Sequence, residues 1–171
     1  MSTDASGLDI SAIRAEFPIV ERIVYFNTGT AGVAPLSVAA ATWTDIRAFE
    51  LDGEHGWGDG ATRMERGRQA LAALLGAERE EIALTRNATD GVNLVVEGVG
   101  WRDGDEALLS DEEHPSMLWP WTYLTQRRDV KLNRFAVGMT PEESLDNVRA
   151  ALTPRTRLVA TSHVSSVTGK R

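Results

Sequence analysis

The chain contains no cysteine. That excludes disulfides, a thiolate nucleophile and any cysteine-ligated metal. Basic residues are in deficit: 18 Lys and Arg stand against 25 Asp and Glu, a net charge of −7. Nucleic acid and anionic membranes select a basic face, so neither is expected as a partner. No apolar run approaches the roughly 18 residues of a membrane span. The first seven residues, Met1-Ser2-Thr3-Asp4-Ala5-Ser6-Gly7, are polar and acidic, unlike a secretory signal. They read as a mobile tail, and the chain as cytoplasmic. His55, His114 and His163 are too far apart for the local patterns of zinc sites. Neither a serine nucleophile elbow nor a Walker-type phosphate loop occurs.

What remains is ordinary globular material. The 171 residues are 42% hydrophobic and 25% charged, enough for a domain with a real core. Asp9 or Ser11 can cap a short helix that ends near Pro18. Ile23-Val24-Tyr25-Phe26 reads as a strand leading into the small-residue turn Asn27-Thr28-Gly29-Thr30-Ala31-Gly32. Helices are expected over residues 36–51, after Pro35, and 62–75, before Gly76. A glycine-rich loop, residues 53–60, separates them.

From residue 82 onward a strand–turn–helix unit recurs three times. Strands are expected at residues 82–84, 106–109 and 130–135, and helices at 89–99, 116–125 and 141–152. Thr140-Pro141-Glu142-Glu143 has the pattern of a capping box with proline at the first helical position. A last strand, residues 157–163, looks central to its sheet. Strand–helix alternation predicts an α/β fold: a partial, mostly parallel sheet with helices on both faces.

In such sheets ligands bind outside the carboxyl ends of the strands. Three turns fall there. Thr85-Arg86-Asn87-Ala88-Thr89-Asp90-Gly91 can hold a phosphate on free amides and the Thr89 hydroxyl, or can simply cap a helix through Asn87 or Thr89. Ser110-Asp111-Glu112-Glu113-His114-Pro115-Ser116 places an imidazole where it can stack on a flat ring or move a proton. Its three carboxylates read as solvated. In Ser162-His163-Val164-Ser165-Ser166, either Ser166 or His163 can hydrogen-bond a ligand.

Taken in order, these motifs resemble the class V aminotransferase family of pyridoxal-phosphate (PLP) enzymes, fold type I. The resemblance leans to the cysteine/cystine C–S lyase and isopenicillin N epimerase-like branch, because Glu113-His114-Pro115 and the Asn-Thr-Gly loop look closest to it. Cysteine desulfurases usually carry a second histidine where Pro115 stands. The resemblance runs from about Ile10 to Arg171 and implies the N-terminal part of such an enzyme. Residues 1–26 would form an arm and part of a small domain, and residues 27–171 the first part of the PLP-binding domain.

The resemblance implies site roles as well. His114 would stack on the cofactor ring and count as catalytic. Ala88, through its amide, and Thr89 would hold the phosphate. Ser166 would touch the cofactor edge, and Thr28, Gly29 and Thr30 would line the substrate pocket. The substrate would be a small amino acid, with C–S cleavage of a cysteine-like molecule expected, and epimerisation or transamination as alternatives. The family's Schiff-base lysine has no counterpart here, since the only lysines are Lys131 and Lys170. Alone, the chain is expected to be inactive. A homodimer and a second polypeptide carrying the C-terminal part are the expected partners. A non-catalytic binding module is the alternative.

Overall fold

The computed structural model describes residues 7–171; the expected N-terminal tail lies, up to Ser6, outside the described residues. The chain divides into two compact units, Met1–Ala83 and Leu84–Arg171.

The first unit is helical among its described residues. Helix α1 (Ile10–Ala15) starts where the Asp9 carboxylate accepts the Ala12 amide at 3.0 Å. Helix α2 (Leu36–Asp52) follows Pro35, which supplies no side-chain cap. Glu16 serves instead: its carboxylate accepts the Ser37 amide at 2.9 Å. Hydrogen bonding with the Ser37 side chain, and then with its amide, holds the Glu16 carboxyl below the usual carboxylate range. Helix α3 (Gly60–Leu75) ends at Gly76 in the left-handed conformation (φ 65°), as glycine at that position predicts. An Arg63–Asp45 ion pair at 2.6 Å ties α3 to α2. Although α2 is 17 residues long, it buries none of them.

The second unit carries the sheet. Its elements are α4 (Ala88–Gly98), β1 (Asp105–Ser110), α5 (Pro115–Arg127), β2 (Val130–Phe135), α6 (Pro141–Ala151) and β3 (Thr156–Ala160). The strands are parallel, in the order β2-β1-β3. The chain steps one way from β1 to β2 and back the other way from β2 to β3. Right-handed crossovers in opposite directions put α5 and α6 on opposite faces. The core lies on the α4/α5 face, where Val96, Leu109, Trp121, Leu124 and Val130 are fully or almost fully buried. The predicted α/β architecture with helices on both faces is what the chain forms.

Four sequence expectations are corrected. The last strand lies at the sheet edge, because β1 takes the central place, and Val159 is 44% exposed. Residues 82–84 and 23–26 are not strands: among the described residues neither segment pairs with another. Both have strand-like side chains, but a strand exists only through a partner's hydrogen bonds. The capping box is half formed. Thr140 Oγ1 accepts the Glu143 amide at 3.2 Å, but the Glu143 carboxylate accepts the Met139 amide at 2.7 Å instead of the Thr140 amide.

Gly138 shows why glycine precedes α6. A β-carbon there would sit 2.6 Å from Glu143 Cβ and 2.8 Å from the Ser144 amide nitrogen. Gly138→Ala is expected to destabilise the second unit by about 1–3 kcal/mol, since the obstacle includes backbone. A urea titration followed by circular dichroism measures this; a midpoint equal to that of the parent would refute it.

Candidate functional site

Helices α4 and α5 pack on one another, and Arg127 near the end of α5 pairs with Glu97 near the end of α4 at 3.3 Å. Helices joined at their C-terminal ends run parallel. Since α5 begins at the carboxyl end of β1, both N-termini face the carboxyl edge of the sheet. That edge is where a ligand meets strand ends and helix dipoles together.

At the α4 start, Asn87 is the cap: its side-chain oxygen accepts the Asp90 amide at 2.9 Å. Thr89 does not cap, so one of the two capping alternatives drops out. The amides of Ala88 and Thr89 and the Thr89 hydroxyl donate to no acceptor among the described residues. Thr85 turns inward, its hydroxyl donating to the Asn87 carbonyl at 3.1 Å. Arg86 is paired with Asp90 at 2.7 Å. The free groups are thus two backbone donors and one hydroxyl at the positive end of an 11-residue helix.

At the α5 start, His114 is itself the N-cap. Its Nδ1 accepts the Ser116 amide at 3.1 Å and lies 2.7 Å from Ser116 Oγ. An N–H donated to Nδ1 places the proton of the neutral ring on Nε2. The ring is exposed, with its orientation set from one side.

Of the three carboxylates before His114, Asp111 is exposed as expected, whereas Glu112 and Glu113 are half-buried, which corrects the sequence reading for those two. Asp111 accepts the Val137 amide at 3.0 Å. Glu112 accepts the hydroxyls of Ser165 and, at 2.7 Å, Thr168. Those two bonds, with nearby Lys170, hold its carboxyl below the usual range against a smaller upward push from burial. Glu113 accepts the Ser110 hydroxyl at 2.6 Å and, from Ser162, both the amide at 2.8 Å and the hydroxyl at 2.7 Å. One acidic turn therefore gathers the exits of all three strands. No local spacing announces this, because the Ser162 contact spans 49 residues.

The segment after β3 divides its two candidates. Ser166 is exposed and makes no hydrogen bond among the described residues. His163 instead lines a cavity of about 410 Å³ on the α6 side, with Phe135, Val137, Leu145 and Val148. Its Nε2 faces Arg171 Nε at 2.9 Å. His114, Ala88, Thr89 and Ser166 lie outside that cavity. Lys170 reaches its rim but donates to the Gly138 carbonyl at 2.9 Å. Lys131 is the second residue of β2, towards the amino edge of the sheet.

In the first unit the Thr28-Gly29-Thr30 turn is shaped by Tyr25, whose hydroxyl donates to the Ala31 carbonyl at 2.6 Å. The Asn27 carbonyl accepts the Thr30 and Ala31 amides at 3.2 and 3.1 Å. A side chain at Gly29 would meet open space, so close packing does not explain that glycine. Among the described residues, no cluster of three or more His, Asp and Glu is placed to hold a metal ion. No helix there is long and apolar enough to cross a membrane.

Known proteins resemble this chain in sequence and in fold. The chain is 32% identical to the probable cysteine desulfurase 2 of Mycobacterium leprae, over 99% of this chain and 44% of that protein. It is 32% identical to a cysteine desulfurase of Klebsiella pneumoniae, over 94% of this chain and 43% of that one. The chain thus spans less than half the length of the curated relatives it matches. Among solved structures, the cystine C–S lyase C-DES in complex with cysteine persulfide superposes with a TM-score of 0.78 at 28% identity, over 90% of this chain and 42% of that one. A C-DES mutant with glycine covalently linked to its PLP cofactor gives 0.73 at 29% identity, over 90% and 41%. The sequence profile of aminotransferase class-V matches residues 25–171. Order of motifs, parallel sheet and sequence profile agree, and the chain belongs to the class-V aminotransferase family.

Proposed function

We propose that this chain is the N-terminal part of a PLP-dependent enzyme that cleaves the C–S bond of a cysteine-like amino acid. The observation that carries it is the α4 start: the free Ala88 and Thr89 amides and the free Thr89 hydroxyl lie on the same sheet edge as the exposed His114 ring. This donor set suits a phosphate dianion, and the ring suits a flat heterocycle beside it. The residues therefore fit the cofactor that the C-DES neighbour carries.

Each residue then has a task. The Ala88 and Thr89 donors bind the phosphate and are helped by the helix dipole. His114 covers one face of the pyridine ring and excludes water from it; Ser116, bonded to Nδ1, keeps the ring from turning. Ser166 offers its unpaired hydroxyl to the cofactor edge or the substrate. The Thr28–Thr30 turn lines the substrate pocket, stiffened by Tyr25. When bound, the cofactor withdraws electrons from a carbanion on the substrate. Residues 27–171 form the first part of the cofactor domain, and residues 1–26 an arm and part of the small domain. The working assembly is a cytoplasmic homodimer, in which the missing lysine comes from the rest of the protein or a second polypeptide. Epimerisation and transamination are the alternative reactions.

A second reading rests on the lysines. Lys170 is engaged with Gly138, and Lys131 lies towards the opposite edge. This chain alone is then a binding module without catalysis. One titration tests the cofactor site in either case. Pyridoxamine 5′-phosphate needs no lysine, so its fluorescence change on adding the chain measures the phosphate and ring contacts directly. His114→Ala is expected to weaken binding about tenfold, the stacking energy of one aromatic pair. Equal affinity of His114→Ala and the parent chain would refute the role given to His114. Denaturing mass of the purified material after borohydride reduction then separates the two readings: a second polypeptide bearing the reduced adduct supports the enzyme.

A further inference from the structure

We infer that Glu113 is a positioning residue of this site: its carboxylate locks the end of β1 to the chain leaving β3, and so sets His114 and the Ser166 turn in one fixed arrangement. The inference rests on the cofactor reading above for what the arrangement serves, and on the structure alone for the lock itself.

The β1–β3 ladder stops at Leu109↔Ala160. Beyond it the two chains part, one into α5 and the other into the turn that holds Ser166. Glu113 continues the pairing with its side chain. One oxygen accepts the Ser110 hydroxyl at 2.6 Å and the Ser162 amide at 2.8 Å; the other accepts the Ser162 hydroxyl at 2.7 Å. Ser110 is 2% exposed, so its hydroxyl has no water to turn to if the carboxylate is lost. Hydrogen bonds accepted by a carboxylate are stronger than neutral ones.

Two consequences meet at the site. His114 is the next residue, and its extended backbone (φ −64°, ψ 147°) is what lets Nδ1 turn back onto the Ser116 amide. A rotation of the peptide between Glu113 and His114 would swing the ring off that amide. On the other strand, Ser162 is held by Glu113, while Ser165 and Thr168 are held by Glu112. The turn carrying Ser166 is thus fastened before and after the serine. Glutamine can keep this geometry: its oxygen accepts from Ser110 and the Ser162 amide, and its NH₂ donates to the Ser162 hydroxyl, which is able to accept. Alanine cannot.

The test uses the whole chain labelled with 15N-histidine. Three quantities are read: the His114 ring nitrogen shifts, amide exchange over residues 162–168, and the dissociation constant for pyridoxamine 5′-phosphate. In Glu113→Ala the His114 signals are expected to move towards a tautomer average. Exchange over 162–168 should rise tenfold or more, and affinity should fall about tenfold. Glu113→Gln is expected to keep the His114 shifts of the parent and to stay within about twofold in exchange and affinity, a rescue that mere loss of stability does not produce. Should Glu113→Ala fail to fold, Ser162→Ala removes one of the three bonds and must shift the His114 signals the same way, by less. Unchanged His114 signals in Glu113→Ala, or in Ser162→Ala where that variant decides, would overturn the inference. If the parent chain binds no pyridoxamine 5′-phosphate, the cofactor reading fails, and the ring shifts and exchange rates still decide the lock.

Discussion

Replacing Trp121 with alanine is expected to cost the second unit about 3–5 kcal/mol, a large part of the 5–15 kcal/mol typical of a whole domain. Trp121 is 1% exposed and is the largest fully buried side chain among the described residues. It stands between α5, α4 and the sheet, among Val96, Ala107, Leu109 and Leu124. Its ring meets Trp101 edge-on, with centroids 6.0 Å apart at 89°. Trp101 donates its indole N–H to the Val96 carbonyl at 2.8 Å, whereas the Trp121 indole N–H meets no acceptor among the described residues. That difference separates two substitutions. Alanine leaves a void between three elements. Phenylalanine leaves a smaller one and removes an unsatisfied donor worth about 1–3 kcal/mol, so its net cost should fall below about 1.5 kcal/mol. Trp119 lies on the same helix, 72% exposed, and its alanine variant should stay within about 0.5 kcal/mol of the parent. Urea unfolding followed at 222 nm ranks the three. A Trp121→Ala midpoint no lower than that of Trp119→Ala would refute this account of the core.

The contrast between those two tryptophans also marks what the sequence can show. Helix ends were legible because their causes are local. Asp9 caps α1, Gly76 takes the left-handed conformation after α3, and Thr140 with Pro141 opens α6. The placement of Thr89 and His114 at helix starts was legible for the same reason, since Asn87 caps α4 and His114 caps α5. Contacts across the sheet were not. Residues 82–84 have the side chains of a strand but lack its partner among the described residues. The acidic turn looked solvated because its hydroxyl partners, Ser162, Ser165 and Thr168, follow 49 to 56 residues later. Nothing in Ser110-Asp111-Glu112-Glu113 distinguishes a carboxylate facing water from one facing a strand that has yet to be made. Val159 failed in the same way: an apolar strand reads as central, and only its neighbours decide whether it is an edge.

Removing the carboxylate of Glu106 is expected to have a comparably large effect, with a pH signature that core substitutions lack. Glu106 is the mirror image of the acidic turn, at the other end of β1. It is 3% exposed, yet it is charged and fully partnered. One oxygen accepts Asn133 Nδ2 at 2.9 Å and Thr153 Oγ1 at 2.7 Å; the other accepts Arg155 Nε at 3.1 Å. These partners belong to β2 and to the turn before β3, so one side chain staples three neighbouring segments. The Thr153 hydrogen bond pulls its carboxyl below the ordinary range, burial pushes it up, and Arg155 and Lys131 add to the downward pull. The net lowering determines the sign. A carboxyl with a depressed folded value stabilises the fold above the unfolded value of about 4.3, and that contribution is lost as pH falls through the folded value. Stability of the parent chain should therefore hold through neutral pH and fall below about pH 4. Glu106→Ala should melt lower than the parent at pH 7, because Asn133 and Thr153 lose their acceptor and Arg155 its counter-ion. It should also show a shallower further loss between pH 5 and pH 3, having no carboxylate left to protonate there. An exposed pair gives the control: Arg149 and Asp146, 70% and 74% exposed, should contribute almost nothing at either pH. Parallel melting curves for Glu106→Ala and the parent from pH 7 to pH 3 would show that the carboxylate at the amino end of β1 is not what couples this sheet to acid.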